Sequence, residues 1–290
     1  MSLSADPAAL PPAAARGNAF WRRILTQRSA VIGLVIILFF VVLAVFAPLI
    51  APYDPLASDW LNVRKAPSAL HWMGTDDLGR DITSRIIYGA RASLLAGLIA
   101  VGIAILAGLP LGLIAGYYGG WVDTIISRCT DALLACPFLV LAIALAAFLG
   151  ASLENAMIAI GISAMPIFIR LVRGQVLTIK HEDFVTAARG QGMRDRSIIL
   201  AHILPNVVTP VVVQATITMA VAILAEASLA FLGLGQRPPA ASWGSMLDVA
   251  RQFMTDAPWM SVWPGLAIVT IVLGFNLAGD GLNDALNRKD

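Results

Sequence analysis

Residues 92–122 read ASLLAGLIAVGIAILAGLPLGLIAGYYGGWV, 31 positions without one charged side chain. A helix needs about 20 apolar residues to cross the hydrocarbon core of a bilayer, so this stretch spans one with residues to spare. A barrel strand would alternate apolar and polar residues, and these run on continuously. The pattern recurs on both sides. Charge-free runs cover residues 30–51 (22 positions), 132–153 (22), 203–225 (23) and 257–279 (23). A further run, 155–169, has only 15. Arg170 and Arg173 follow it, and long cationic side chains snorkel to the lipid surface. The sequence therefore predicts an all-α integral membrane protein with six transmembrane helices.

Composition agrees. Of 290 residues, 58% are hydrophobic and 13% charged, about half the charge of a soluble domain, and the mean hydropathy is +0.80. That excludes a water-soluble enzyme, a nucleic-acid-binding module and a disordered chain. A net charge of +2 implies no polyanionic partner. Cys129 and Cys136 are seven apart, too far along a helix for a disulfide, and read as small packing residues.

Basic residues set the orientation. With the N-terminus in the cytoplasm, the inner segments hold 13 Lys and Arg and the outer segments 7. All seven tryptophans fall at span edges or in loops: Trp21 and Trp121 inside, Trp60, Trp72, Trp243, Trp259 and Trp263 outside, as an interfacial belt expects. The organisation expected is a cytoplasmic, partly disordered tail over residues 1–28 and one transmembrane domain over 29–290. Its outer loops are 52–91 and 233–258, and its largest inner loop is 175–204.

Gly108, Gly112 and Gly116 form a GxxxGxxxG row on one helix face, a seam for a tight bundle or a subunit interface. Pro110 within it predicts a kink. Glu226 is the one acid flanked by apolar residues inside a span. Such a group faces a partner or a cavity, so it pairs with an arginine or a helix terminus, lies near a solute path, or snorkels. Asp131 and Asp280 stand at inner span ends, where solvated or capping roles suffice. No chain of buried acids and histidines suggests proton coupling. His71, His181 and His202 lie in loops or at edges, no cluster has metal-ligand spacing, and no P-loop, GxSxG or HExxH occurs. No catalytic residue, metal site or cofactor is expected in this chain.

The inner loop between the fourth and fifth spans carries six basic and three acidic residues over 170–202. Residues 184–192, Phe184-Val185-Thr186-Ala187-Ala188-Arg189-Gly190-Gln191-Gly192, read as a short helix that Gly190 and Gly192 break. A second helical turn follows and ends before Leu204-Pro205, where the fifth span begins. Small residues with a basic rim suit docking against another protein. A solvated connector is the plainer alternative.

Here the sequence resembles a known family. The pattern E-A-A-x3-G-x9-I-x-L-P marks the membrane subunits of binding-protein-dependent ATP-binding-cassette importers. Ala187, Ala188, Gly192, Leu204 and Pro205 stand in register, while Thr186 replaces the glutamate and His202 the isoleucine. The His-x-Leu-Pro-Asn form resembles the peptide branch. Gly74-Thr75-Asp76-Asp77-Leu78-Gly79-Arg80-Asp81 with Ser84-Arg85, Gly89-Ala90-Arg91-Ala92-Ser93-Leu94, Leu113 to Gly120, Phe231 to Gly235 and Gly279 to Leu282 are similar to the "C" permease subunits of dipeptide, oligopeptide, glutathione and nickel importers. The resemblance covers the chain from about residue 20 onward.

It implies the type I importer permease fold, with both termini cytoplasmic, in the bacterial inner membrane. The chain would pair with a homologous second permease subunit. One or two ATPase subunits would bind ATP and Mg and dock beneath, and a periplasmic or lipid-anchored binding protein would deliver short peptides. Phe184, Val185, Thr186, Ala187, Ala188, Arg189 and Gly192 would form the coupling segment, and His202, Leu204 and Pro205 would join it to the fifth span. A nickel or metal-chelate importer of the same family and a self-sufficient six-span carrier are the alternatives.

Overall fold

A computed structural model describes residues 27–287. The tail expected over residues 1–28, and Trp21 within it, fall almost wholly outside the described residues. The helices longer than one turn are α1 (Arg28–Val45), α2 (Ile82–Tyr118), α3 (Gly120–Leu134), α4 (Phe138–Leu149), α5 (Leu153–Ile179), α6 (Asp183–Gly190), α7 (Asp195–Phe231), α8 (Trp243–Ala250) and α9 (Trp259–Asn287). Among the described residues the only extended pairing is one bridge between Thr75 and Asp81.

Five helices, α1, α2, α5, α7 and α9, are long and apolar enough to cross a membrane, and a sixth span results if α3 and α4 count as one. That pair corrects the expectation for residues 132–153. The helices meet at 89°, with Pro137 at the break. Proline lacks a backbone donor and drives the preceding residue out of helical conformation. The 12 residues of α4 reach only about 18 Å, short of a full crossing, and α3 carries Asp123, Arg128 and Asp131.

Helices α2, α5, α7 and α9 each outrun their charge-free run at one end or both, whereas α1 ends at Val45, inside its run. Helix α5 extends to Ile179 because its arginines find partners: Arg173 pairs with Asp123, and Arg170 Nη2 lies 2.7 Å from Asp131. Ion pairs to α3 thus replace the expected snorkelling. Helix α2 starts at Ile82, so the outer loop expected over 52–91 ends at Asp81. Its first ten residues are mostly buried. They lie under a loop whose polar groups satisfy one another, and no apolar-run count detects that. Likewise, the loop over residues 233–258, expected outside, holds α8.

The bundle core is small and tightly spaced. Helix α2 runs along α5, and α1 packs on α9, where a Cβ on Gly33 would stand 2.4 Å from the Ala278 nitrogen. A wide apolar surface stays open outside, including Leu98, Leu106, Phe148 and Val269 at 61, 78, 86 and 63% exposure. A bilayer or partner helices cover such a surface at no polar cost.

Candidate coupling surface

Helix α6 is eight residues long with Asp183 in its first turn and Arg189 in its last, both favourable to the helix dipole. Val185 and Ala188, three apart, are the only residues it buries. They join the core that contains Ile198 and Ile203 of α7. Phe184, Thr186, Ala187 and Arg189 face outward. Phe184 lies against His202, ring centroids 6.3 Å apart.

Gly192, and not Gly190, ends the helix. Its φ is +77°, the Met193 N–H donates to the Ala188 carbonyl (3.1 Å), and the Gly192 N–H donates to that of Arg189 (3.0 Å). This paired pattern is the Schellman stop, which needs a left-handed residue at this position. The second turn does not end before Leu204-Pro205 as expected. Helix α7 runs through, and a π turn over Ile199–Ile203 gives room for Pro205, whose ring would clash with the preceding turn of a regular helix.

Tyr117, at the C-terminal end of α2, ties this segment to the bundle. Its hydroxyl donates to Asp195 Oδ1 at 2.6 Å, and the Arg189 guanidinium lies 5.6 Å from its ring centroid. The Tyr117 hydroxyl holds Arg189 above the usual guanidinium range. Lys180 Nζ donates to the Gly116 carbonyl at 2.9 Å. Four of the six basic residues expected as a docking rim are thus engaged within the chain. Arg194 and Arg196 are exposed and without an ion pair among the described residues. Tyr117 was missed as a site residue, although the block from Leu113 to Gly120 contains it.

The glycine row packs inside the chain. A Cβ on Gly108, Gly112 or Gly116 would stand 2.6–2.7 Å from the Cβ of Phe168, Val172 or Val176, successive residues on one face of α5. Of the two sequence readings, the bundle seam is the one these contacts describe.

Glu226 is wholly buried. Its Oε2 accepts from Ser93 Oγ at 3.1 Å, and that hydroxyl oxygen accepts the Trp243 N–H at 3.3 Å. Glu226 therefore meets the N-terminus of α8 through Ser93. No arginine pairs with it among the described residues, and full burial excludes snorkelling. Trp243 is also corrected: it is buried, not interfacial, and its indole donates to the Ile86 carbonyl at 3.1 Å.

At the N-terminal end of α2, the block from Gly74 to Arg85 builds a buried polar knot. Asp76 accepts from Arg80 Nε at 2.7 Å and lies 3.3 Å from Arg85 Nε. Asp81 caps α2 through the Ser84 N–H at 2.7 Å and meets His71 Nδ1 at 2.9 Å. Among the described residues no group of three or more His, Cys, Asp or Glu is placed to hold a metal.

The chain is similar to known proteins. A family model for the binding-protein-dependent transport system inner membrane component matches residues 108–289. One for the N-terminal domain of oligopeptide transport permease C matches residues 17–67. The dipeptide transport system permease protein DppC of Alkalihalophilus pseudofirmus is 50% identical over 273 residues, covering 93% of this chain and 90% of the relative. The glutathione transport system permease protein GsiD of Pectobacterium atrosepticum is 45% identical over 271 residues, covering 93% and 90%. A GsiD of Shigella dysenteriae is 48% identical over 271 residues, covering 93% and 89%. In fold, the chain is similar to the inward-facing MetNI methionine ABC transporter, with a TM-score of 0.57 and 21% identity over 70% of this chain and 96% of that one. The family match over residues 108–289, which includes α6, and the relatives at 45–50% identity show that the chain belongs to the family of inner-membrane permease components of binding-protein-dependent transport systems.

Proposed function

We propose that this chain is the membrane-spanning subunit of an ATP-driven importer of short peptides. Relatives at 45–50% identity are named for dipeptide and glutathione transport, and both solutes are short peptides with charged ends. The partners would be a homologous second permease subunit, one or two ATPase subunits that bind ATP and Mg, and an extracytoplasmic binding protein. Phosphoryl transfer would take place in the ATPases. The excess of basic residues on one side supports cytoplasmic termini, which puts α6 on the ATPase side.

The observation that carries the coupling role is the mounting of α6. It buries only Val185 and Ala188, presents the rest, and is braced to both α2 and α7 through Tyr117, Arg189 and Asp195. A push on its outer face would move two long helices together, as switching between inward and outward access requires. Closure of the ATPases supplies the push when nucleotide is bound.

Ala188 is buried and Ala187 exposed, so Ala187 is the cleaner probe. Ala187→Trp should lower peptide uptake by the assembled importer about tenfold, as loss of about 1.4 kcal/mol of docking would, with the chain still inserted in the membrane. Unchanged uptake would contradict the coupling role.

A further inference from the structure

The outer end of the bundle holds an open cleft of about 780 Å³ between the segment that follows α1, the start of α2 and the loop before α8. Tyr53, Asp54, Tyr88, Arg91, Leu95 and Ala241 are among its walls. Its volume is that of a small-molecule site. Asp54 and Arg91 are exposed, and neither is ion-paired among the described residues. Asp54 Oδ1 accepts only the Leu56 N–H at 2.9 Å.

The walls are fixed before any solute arrives. Arg85 of α2 donates through Nη1 to the Pro55 carbonyl at 3.1 Å and the Pro239 carbonyl at 3.3 Å, so one guanidinium joins the two loops that face each other. The Tyr53 N–H donates to Ser84 Oγ at 3.0 Å, and the Tyr53 hydroxyl donates to the Leu70 carbonyl at 2.9 Å. Walls held this way lose little entropy on binding.

Arg91 and Leu95 also line a second, almost wholly apolar groove of about 650 Å³, which runs between α1, α2, α7 and α9 past Leu98, Met219 and Phe275. Arg91 thus stands where the first cleft meets an almost wholly apolar one. Exposed there and without an ion pair among the described residues, its guanidinium is available to an anion. An anionic lipid headgroup would meet Arg91 but be repelled by Asp54 in the same cleft. A zwitterion satisfies both.

Resting on the peptide reading above, we propose that this cleft is an entry site for zwitterionic peptides, in which Arg91 takes the peptide carboxylate and Asp54 its ammonium group. The tyrosines form the walls, and side chains of the peptide face the apolar groove. Arginine suits a carboxylate because its fork of donors matches the two oxygens.

The test uses proteoliposomes of the complete importer with binding protein outside and two radiolabelled probes, alanyl-alanine and alanyl-alanine amide. Uptake is normalised to each probe's occupancy of the binding protein. The wild type should take up the free acid about tenfold faster than the amide, the worth of one charge-assisted bond. Arg91→Gln should take up both at the slower rate, and Arg91→Lys should restore part of the preference. Asp54→Asn should likewise erase discrimination against acetyl-alanyl-alanine. A preference that survives Arg91→Gln would overturn the site. So would a variant complex that no longer retains the second permease subunit, which would make the cleft a subunit contact. Wild-type uptake that demands anionic lipid, with no preference between the probes, would assign Arg91 to a headgroup and overturn it too. No wild-type uptake of either probe would overturn the peptide reading itself.

Discussion

Gly192 holds a φ of +77° with nothing within 4 Å of the place a Cβ would occupy. Room is therefore not what demands glycine there; the left-handed backbone is. Gly192→Ala should cost about 1 kcal/mol, read as faster amide exchange at Gln191 and Met193 with little change elsewhere. Equal exchange in variant and parent would count against the turn. At Gly112 the reason is the opposite, because Val172 Cβ lies 2.6 Å from where its own Cβ would stand. Spacing in the sequence was enough to find the glycine row. It did not separate Gly190 from Gly192, because only backbone geometry distinguishes a helix's last residue from the residue that stops it. Glu226 was legible as an exception inside a span. Its partner was not, since Ser93 lies 133 positions away.

Among elements, charge-free runs located the membrane helices well and their ends poorly. A run stops at the first charge, whereas a helix stops where its backbone donors and acceptors find other partners. Arg85 lengthens α2 at its N-terminal end because Asp76 and two carbonyls receive it, and Arg173 lengthens α5 at its C-terminal end because Asp123 does. The α3–α4 break was hidden for a similar reason: Pro137 was visible, but an 89° turn follows from where the flanking helices pack. Helix α6 stood out in the sequence through its motif, and its bracing did not. Tyr117→Phe and Asp195→Ala should each weaken the hold of α2 on this segment by about 1 kcal/mol. The double variant should be no worse than either single one, since both remove the same bond. Thermal unfolding in detergent measures this, and additive losses would mean that the two side chains act apart.

For the whole molecule, membrane embedding was readable from composition alone, because no soluble core of this size hides so much apolar surface. Assembly was not. The exposed apolar belt fits lipid and partner helices equally, so the division between them is a property of the complex. The central claim is that α6 meets the nucleotide-driven subunits on the cytoplasmic side. It can be checked by placing a cysteine-attached photocrosslinker at Ala187→Cys, with Cys129 and Cys136 replaced by serine, and irradiating the assembled importer in native membranes. The adduct should contain an ATPase subunit, and its yield should change when a non-hydrolysable ATP analogue is added. An adduct with the extracytoplasmic binding protein, or labelling of that cysteine by an impermeant reagent from outside the cell, would contradict the account.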